Sequence, residues 1–503
     1  MRNTKAIQRN RIGLLFMFIS FVLSIVVALI TGSLPLPRNI PPDTSAEDFQ
    51  VHLSRRVPSL MTLFRIPGCS IALVHNSEIV WTEAYGIADL ESETALTVDT
   101  PMRVQSISKS VTAWGILKLA EQGMIDLDDP VSKYLTSWHL PESDFASYTI
   151  TIRQLMSHTA GLPLGDVFTT YAPDDDMPSL EQKLTQEAKL VRKPGLRFSY
   201  SNTGYNLLEL LIEQVTARDF SDYMLTEVLL PLGMNSSSFD WSRNMKPSPP
   251  TGYDIRGKSV PIYVYPEKAS GGLFATAADI ARFATAGSCD NPVLKTDNVE
   301  TLYKPISDKI GIYGLVFDAY GLGHYIETVP NGLRSVSHGG QGSGIMTHFQ
   351  SVPETGDVIV ILTNSQRSWP FISYLLRDWA RWLELPSVGM EKIIWGRYAL
   401  SILVGMLLSA AFLMIRRTLL YLFRKRTETE KSERLKSHCR LIQWLQRSVS
   451  LILMGALLWG VCQKYLFITS IFPILSVWLG AAIMLLSVSM FIFALIPCEK
   501  TCM

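Results

Sequence analysis

Long apolar segments at both ends of the chain constrain its fold more than any other sequence feature. The first runs from Ile12 to Ile30 and contains no charged residue. Three others lie near the C-terminus, at Tyr398–Ile415, Ser448–Phe467 and Ile471–Ile496. Each is close to the length of roughly 20 residues that a helix needs to cross a bilayer. The sequence therefore predicts a multi-pass membrane protein with four spans.

Basic residues beside these segments predict their orientation. Four basic residues and no acidic residue precede the first segment, and the basic stretch Arg416–Arg426 follows the second. Because Lys and Arg accumulate in cytoplasmic loops, we expect both termini in the cytoplasm and residues from about 33 to 393 outside it. A cleaved signal peptide is the alternative for the first segment. An uncleaved anchor is favoured, because the apolar run exceeds the usual length of roughly 7–15 residues and lacks a clear cleavage site.

These segments predict the domain organisation of the chain. Residues 1–32 form the N-terminal transmembrane anchor, or signal, and residues 33–50 form a proline-rich linker. Residues 51–388 form an extracytoplasmic domain. Residues 394–497 contain three transmembrane helices, with a basic cytoplasmic loop at 416–447. The cell membrane is therefore the expected location.

Charge and cysteine content exclude several classes of function. The chain has 46 basic and 45 acidic residues, so its net charge of +1 leaves no basic excess for a nucleic acid partner. No C-x-x-C pair or histidine-rich run suggests a metal, and no cofactor is expected. Cys69 and Cys289 could form a disulfide in an oxidising compartment, but the sequence does not establish their proximity.

Strand patterns lie at both ends of the predicted extracytoplasmic domain, with helical patterns between them. The segments Cys69–His75 and Ile79–Tyr85, separated by turn residues such as Asn76 and Ser77, predict a β-hairpin. Further strands are predicted at Arg334–Ser337, Ile345–Val352 and Asp357–Leu362. We therefore predict an α/β (α+β) domain, in which both chain ends contribute to one sheet and a helical insertion lies between them.

Ser106 and Lys109 are the first candidate catalytic residues. They lie at the start of a predicted helix that ends near Gly123, and their spacing places them on one helical face. A serine hydroxyl becomes a good nucleophile when a neighbouring base takes its proton, and a lysine can do so if its pKa is lowered. Alone, S-x-x-K specifies only two positions, and an exposed serine and lysine is the alternative.

Two further segments carry residues suited to the same chemistry. Tyr200 and Asn202 lie in a turn-rich loop before the predicted helix Thr203–Thr216, where they could relay a proton and bind a substrate amide. The alternative is a packed tyrosine with Asn202 as the helix N-cap. Later, His338-Gly339-Gly340 follows a predicted strand, and its glycines would let another backbone lie close. An ordinary glycine-rich turn is the alternative there.

Together and in this order, the three motifs resemble the serine β-lactamase and penicillin-binding-protein superfamily, in particular its class C-like and esterase or D-aminopeptidase branches. The resemblance runs from about Val51 to Leu385 and includes the segments Leu155–Pro163 and Ser270–Asp279. It implies a β-lactamase-like antiparallel sheet flanked by helices. For His158, in the first of these segments, we favour a structural role.

The resemblance also implies roles for individual residues. Ser106 would be acylated, Lys109 would help to deprotonate it, and Tyr200 would be the second general acid or base. The backbone N–H groups of Ser106 and Gln341 would form the oxyanion hole. The residues expected to bind substrate are Asn202, His338, Gly339, Gly340 and Gln341.

The third motif departs from the K-T-G of many β-lactamases and penicillin-binding enzymes. Histidine is largely neutral at pH 7, which weakens the case for a dedicated β-lactamase and suits relatives that act on peptides, amides or esters. The membrane-bound architecture is similar to that of peptidases that remove an N-acyl-D-amino-acid cap from peptide prodrugs.

The first functional hypothesis is therefore an amide or peptide hydrolase acting on D-amino-acid-containing or cell-wall-like substrates. An esterase or a β-lactamase is the alternative within the same class. A β-lactam-binding receptor and a non-catalytic wall-binding protein are alternatives from other classes. The expected partners are a small-molecule or peptide substrate and the lipid bilayer, with an exporter or another membrane protein as a further possibility.

Overall fold

The computed structural model describes residues 2–32, 40–166, 169–329, 331–423, 433–463 and 466–496. The chain divides into two units, one of Arg38–Lys392 and one of Met1–Pro37 with Ile393–Met503. The strands are β1 (Gly68–His75), β2 (Glu78–Asp89), β3 (Thr94–Ala95), β4 (Met102–Arg103), β5 (Gly252–Tyr253), β6 (Ser259–Val260), β7 (Phe274–Ala275), β8 (Ala319–Tyr320), β9 (Tyr325–Thr328), β10 (Arg334–Gly342), β11 (Ile345–Val352) and β12 (Asp357–Thr363). The helices are α1 (Arg2–Ile30), α2 (Ala46–Phe64), α3 (Ile107–Glu121), α4 (Ile152–Met156), α5 (Leu180–Glu187), α6 (Asn202–Thr216), α7 (Phe220–Met224), α8 (Ala277–Ala286), α9 (Thr296–Tyr303), α10 (Trp369–Trp382), α11 (Lys392–Phe423), α12 (Glu433–Cys462), α13 (Phe467–Ile471) and α14 (Pro473–Leu495).

Eight strands of the Arg38–Lys392 unit form one sheet in the order β3-β2-β1-β12-β11-β10-β9-β8. All neighbouring pairs are antiparallel, and the first long strand pairs with the last, with Cys69 opposite Thr363. The predicted sheet built from both chain ends is therefore confirmed. Strand β1 is buried on both faces, in agreement with its continuous apolar sequence.

Strand β10 is longer than the sequence indicated. We expected it to end at Ser337, because the following glycines are typical of a turn. Instead the strand continues to Gly342, which pairs with Ile345 at the start of β11. Pairing with β9 stops at Ser337, so His338–Gly342 extends past that neighbour.

Helix α3 lies in the interior of this unit. Its side chains are buried on every face, including Val111 and Trp114, which are fully inaccessible to solvent. Its buried residues include the polar Ser108, Lys109, Ser110 and Thr112. It ends as predicted, because Gly123 adopts a positive φ of 73° two residues beyond Glu121.

Two helix starts differ from the prediction. Helix α2 begins at Ala46, inside the residues interpreted as a linker, and Ser45 caps it by accepting the N–H of Asp48. Helix α6 begins at Asn202, and its N-cap is Ser201, whose hydroxyl accepts the N–H of Gly204. The alternative that made Asn202 the cap is therefore wrong, since the preceding serine supplies the capping oxygen.

The second unit consists of apolar helices. Three are long and apolar enough to span a membrane, at Gly389–Phe423, Arg440–Cys462 and Pro473–Leu495, and Leu14–Ile30 forms a shorter apolar helix. Within the predicted loop 416–447, the described residues are helical, because α11 continues to Phe423 and α12 begins at Glu433. The basic residues Arg424, Lys425 and Arg426 and residues 33–39 of the proline-rich linker lie outside the described residues.

Helices α1 and α11 approach each other closely at Gly405. A Cβ at this position would overlap the backbone of Ser24, so only glycine permits the contact. Near one end of the pair, the Arg397 guanidinium donates to the carbonyl of Thr31 at 2.9 Å. This contact places a positive charge at the C-terminus of α1, where the helix dipole favours it.

The cysteines Cys69 and Cys289 are free thiols in this structure, and a disulfide between them is not formed. Cys69 is buried in β1 and Cys289 is exposed. Burial raises the pKa of the Cys69 thiol well above its ordinary value. Neither cysteine therefore has the depressed pKa of a reactive thiolate.

Candidate active site

Two hydrogen bonds hold the backbone before Ser106. The N–H of Val104 donates to the carbonyl of Leu273 at 2.9 Å, and the Val104 carbonyl accepts the Thr347 hydroxyl at 2.8 Å. Gln105 then adopts a left-handed conformation with φ of 54°. This sparsely populated conformation for a non-glycine residue turns the chain sharply, so that Ser106 stands as the N-cap of α3 with its side chain only partly buried.

Hydroxyl side chains in the first turns of α3 form hydrogen bonds with segments that are distant in the sequence. The Ser108 hydroxyl accepts the N–H of Leu273 at 3.1 Å, and Ser110 donates to the Gly323 carbonyl at 2.6 Å. One turn later, Thr112 donates to the Ala269 carbonyl at 3.0 Å. These buried hydrogen bonds fix the rotation of the helix, and with it the directions of Ser106 and Lys109.

Lys109 lies directly beneath Ser106, as the i, i+3 spacing predicted. Its ammonium nitrogen Nζ is 3.1 Å from Ser106 Oγ and 2.7 Å from the carbonyl oxygen of Ser270. The side chain is fully buried, and burial lowers the pKa of Lys109 well below its ordinary value. No carboxylate among the described residues forms an ion pair with it. The exposed-lysine alternative is therefore wrong.

Tyr200 lies beside Lys109 in the candidate site. Lys109 Nζ lies 5.0 Å from the centre of the Tyr200 ring, and the Ser106 side chain is close enough to the phenol to act on its pKa. Burial raises the pKa of Tyr200 well above its ordinary value, so the phenol holds its proton at neutral pH. Tyr313 lies on the far side of the ring, with the two centroids 5.5 Å apart.

His158 contacts the segment around Tyr200 through both its backbone and its side chain. Its carbonyl accepts the N–H of Ser199 at 2.7 Å, and its Nδ1 accepts the N–H of Ser201 at 3.2 Å. The imidazole packs against the Tyr200 ring at a centroid distance of 4.2 Å. Burial lowers the pKa of His158 well below its ordinary value, so the ring is neutral. These contacts agree with the structural role that we favoured.

Asn202 begins α6 two residues after Tyr200. Its N–H donates to the Leu164 carbonyl at 2.9 Å. The side-chain oxygen Oδ1 is buried and has no hydrogen-bond partner within the part of the chain that the structure describes. A buried amide oxygen without a partner is unfavourable, and a donor on a bound molecule would satisfy it.

His338 lies on β10 facing the tyrosines. Its Nδ1 donates to the Gly339 carbonyl at 2.8 Å, which leaves Nε2 as the acceptor for the Tyr320 hydroxyl at 3.3 Å. Burial and the nearby Lys109 lower the pKa of His338 well below its ordinary value. The residue that replaces the lysine of K-T-G is therefore uncharged in the resting site.

The glycines of the third motif make room for the segment that carries Ser106. A Cβ at Gly340 would overlap the Val104 carbonyl and the Thr347 hydroxyl, and a Cβ at Gly342 would overlap the Gln105 side chain. The predicted close approach of another backbone is therefore present. Gln341, between them, accepts the Trp369 indole N–H at 3.2 Å through its side chain.

One functional contact was missed by sequence reasoning. The Ser270 carbonyl, which binds Lys109, belongs to a segment interpreted only as structural. Its neighbours Lys268 and Ala269 donate their backbone N–H groups to the buried carboxylate of Glu209 on α6. Burial raises the pKa of Glu209 to about 8. The signal in the sequence was the spacing of Glu209, which shares a helical face with Asn202 and Asn206.

The family model described as β-lactamase matches residues 53–377, which is more than half of the chain. The chain belongs to the β-lactamase family. It is therefore a member of a family of serine hydrolases with the sheet and flanking helices described above.

Curated relatives of this β-lactamase family member match part of the chain. Protein flp of Staphylococcus aureus (strain MRSA252) is 31% identical over 208 residues, which are 40% of this chain and 40% of flp. The match thus spans less than half the length of that relative. Penicillin-binding protein 4* of Bacillus subtilis (strain 168) is 24% identical over 351 residues, which are 63% of this chain and 74% of the relative.

Solved structures share the fold of this β-lactamase family member. The octameric penicillin-binding protein homologue from Pyrococcus abyssi superposes with a TM-score of 0.60 at 26% identity, over 70% of this chain and 81% of that one. A D-stereospecific amidohydrolase, the hydrolase EstCE1 and a class C β-lactamase superpose with TM-scores of 0.51, 0.54 and 0.53 at 21%, 21% and 19% identity. At these lower identities, the likeness is one of fold alone.

Proposed function

We propose that the protein is a membrane-anchored serine hydrolase that forms an acyl-enzyme on Ser106. The observation that carries the proposal is the position of Lys109, whose buried Nζ lies 3.1 Å from Ser106 Oγ. Burial lowers the pKa of Lys109 and so favours the neutral amine, the form that can accept the serine proton. An exposed ammonium at the same distance would have no such capacity.

In the acylation step, Ser106 Oγ attacks the carbonyl carbon of the substrate, and the hydroxyl proton passes to Lys109 Nζ. The negative charge on the substrate oxygen would be stabilised by the backbone N–H groups of Ser106 and Gln341. The bond to the leaving group then breaks, and the leaving atom takes up a proton. Tyr200 is suited to deliver it, because its phenol is protonated and its ring lies beside Lys109 and close to Ser106.

Deacylation runs through the same groups in reverse. Water loses a proton as it attacks the acyl carbon, and Ser106 Oγ regains a proton as it leaves. The phenolate of Tyr200 left by acylation, with Lys109 beside it, would take the proton from water. This cycle restores the starting protonation states, so it requires no additional acid or base.

For the substrate, we propose an amide or peptide with D-amino-acid-containing or cell-wall-like character. Two relatives are penicillin-binding proteins by name, which supports a link to wall-like peptides. His338 is neutral and buried, so the third motif supplies no fixed positive charge for a β-lactam carboxylate. The partnerless Oδ1 of Asn202 suits a substrate N–H. Esterase activity uses the same groups and is the first alternative.

We also propose that the catalytic unit lies outside the cytoplasm and that both termini lie inside. The apolar helices support attachment to a membrane, and the basic residues beside the first two predicted spans support this orientation. A topology reporter fused after Pro386 should be active only on the extracytoplasmic side. Activity of that reporter in the cytoplasm would overturn the proposed orientation.

The acyl-enzyme is tested first by labelling with a fluorophosphonate probe, which reacts with activated serines. Membranes containing the wild-type protein are compared with membranes containing equal amounts of Ser106→Ala. We expect labelling of the wild type and none of the variant. Failure of correctly folded wild-type protein to label would overturn the proposed mechanism and favour a receptor or binding protein.

The substrate class is tested next on protein that labels. N-acyl-D-aminoacyl peptides, the matching L-isomers, simple esters and β-lactams are compared by kcat/KM. We expect the D-aminoacyl peptides to be the best substrates. Higher kcat/KM values for esters would identify an esterase, and stable acylation by β-lactams without turnover would favour the receptor.

A further inference from the structure

Glu209 is a buried carboxylate that holds the backbone next to the lysine site. It lies on α6, seven residues after Asn202, and only 2% of its surface is exposed. A single oxygen, Oε2, accepts the N–H of Lys268 at 2.6 Å and the N–H of Ala269 at 2.7 Å. Hydrogen bonds from two successive N–H groups to one oxygen fix the orientation of the peptide that joins them.

The segment held by Glu209 continues directly into the Lys109 contact. Ser270 follows Ala269, and its carbonyl accepts Lys109 Nζ at 2.7 Å. The Ala269 carbonyl accepts the hydroxyl of Thr112 at 3.0 Å, so the segment is also tied to α3. Glu209 is therefore linked to Lys109 Nζ, the nitrogen that faces Ser106. The path consists of the hydrogen bond from Ala269 to Glu209, the peptide between Ala269 and Ser270, and the hydrogen bond from Lys109 to Ser270.

This segment needs an external support because of its sequence. Gly271 and Gly272 follow Ser270, and glycines allow the backbone many conformations. The N–H groups of both glycines turn back to the carbonyl of Lys268, at 3.2 and 2.7 Å, so the orientation of that residue sets the whole turn. The ammonium of Lys268 forms an ion pair with Asp240 at 2.7 Å. The backbone N–H of Lys268 is held separately, by Glu209.

We propose that Glu209 is a positioning residue for the general base: it fixes the Ser270 carbonyl, which in turn holds Lys109 Nζ against Ser106. The proposal rests on the proposed function, because it assumes that Lys109 activates Ser106. Glu209 touches neither the nucleophile nor its lysine, so its effect passes entirely through the Lys268–Ser270 backbone.

The proposal predicts two kinetic effects of removing the carboxylate. Without it, the Ser270 carbonyl can turn away, so Lys109 is held less well against Ser106 and acylation slows by about 10- to 100-fold. In the wild type, the hydrogen bond from Lys109 to the Ser270 carbonyl stabilises the ammonium relative to the amine, and this stabilisation is also lost. The pKa of Lys109 therefore falls further, and the acid limb of the acylation profile moves to lower pH.

The test is the pH dependence of the rate constant for fluorophosphonate labelling of the full-length protein in membranes. This rate constant does not depend on how much of the protein is folded. Glu209→Leu removes the acceptor, whereas Glu209→Gln keeps an oxygen at the same place. The ionisable groups that face Lys109 are His158, His338, Tyr200 and Tyr205, and all are unchanged in these variants.

Glu213 supplies a matched control one turn later on the same helix. It also accepts a backbone N–H, from Phe220 at 3.3 Å, but that segment does not contact Lys109. We expect Glu209→Leu to lower the maximum labelling rate constant and to move the decline of this rate constant on the acid side to lower pH. Glu209→Gln should restore both. Glu213→Leu should change neither. If Glu209→Leu does not accumulate, Glu209→Asp, which keeps the carboxyl group but withdraws its oxygen from the Lys268–Ala269 backbone, should lower the maximum labelling rate constant in the same way.

The possible outcomes separate this inference from the proposed function. A wild-type protein that does not label would overturn the proposed function itself. Normal wild-type labelling with an unchanged rate and acid limb in Glu209→Leu, or in Glu209→Asp if the leucine variant is absent, would overturn only the role of Glu209. An equal loss in Glu213→Leu would likewise overturn it, because a general effect on α6 would then explain both variants.

Discussion

Helices α3 and α11 both bury small hydroxyl side chains, but they use them differently. In α3, the Ser110 hydroxyl donates to the carbonyl of Gly323, more than 200 residues away in the sequence. In α11, the Ser409 hydroxyl donates to the carbonyl of Gly405, four residues earlier in the same helix. The buried hydroxyls of α3 thus join distant segments, whereas those of α11 are satisfied within their own helix.

The difference shows what holds each unit together. The catalytic unit contains loops whose carbonyl and N–H groups need partners, and the α3 hydroxyls provide them while setting the direction of Lys109. The apolar helices satisfy their own backbones, so their contacts depend on shape. Gly405 against Ser24 is such a contact, because the absence of a side chain is what permits it.

The largest expected effect comes from removing the amine that α3 positions. Lys109→Met keeps the length and burial of the side chain but removes the base. We expect the rate of Ser106 labelling to fall by about 10²- to 10⁴-fold, the usual contribution of a positioned general base. The wild-type rate should also decline as the pH is lowered through the pKa of Lys109, because the ammonium cannot accept a proton. Unchanged labelling of the methionine variant would mean that another group activates the serine.

A pair of glycine substitutions compares the two units next. Gly340→Ala places a methyl group against the Val104 carbonyl, so we expect a loss of about 1–3 kcal/mol of stability together with slower labelling. Gly405→Leu should separate α1 from α11 while the labelling rate stays unchanged.

The helix separation is measured by disulfide cross-linking of Val27→Cys and Val404→Cys, two residues of one buried apolar cluster, in a chain whose native cysteines are replaced by serine. Gly455→Leu is the matched control, because open space surrounds that glycine. Cross-linking that survives Gly405→Leu would contradict the packing described for this pair of helices.

The smallest effects distinguish the two kinds of buried hydroxyl. Ser110→Ala leaves the Gly323 carbonyl without its donor, so we expect a loss of about 1–3 kcal/mol. Ser409→Ala should cost about 0.5 kcal/mol or less, since the Gly405 carbonyl keeps its bond to the helix backbone. Thermal unfolding of the two variants in detergent checks both values. Equal losses would remove the contrast between α3 and α11.

Much of this arrangement was predictable from sequence because it depends on periodicity and spacing. The interval between Ser106 and Lys109 predicted a shared helical face, and alternating strands predicted a sheet built from both chain ends. The extension of β10 through His338–Gly342 was not predictable, since glycines carry no strand pattern and become ordered here by pairing with β11.

Other parts of the site leave little or no trace in residue type. The Ser270 carbonyl belongs to the backbone, so any residue at that position could supply it. The left-handed conformation of Gln105 is imposed by the contacts around it, because glutamine has no preference for positive φ. Glu209 had a detectable signal, since it shares a polar helical face with Asn202 and Asn206, but its partners are set by the tertiary fold.

The pairing of β1 with β12 also determines when the catalytic unit can form during synthesis. Cys69 and Thr363 are neighbours in the sheet but are separated by about 300 residues of chain, so the ribosome completes β1 long before it makes the partner strand. Until then, one edge of this buried strand lacks its partner. Helix α11 begins at Lys392, after β12 and α10. All strands of the sheet are therefore synthesised before the long apolar helices α11, α12 and α14, and the nascent chain must be kept from aggregating through the unpaired edge of β1 until β12 has been made.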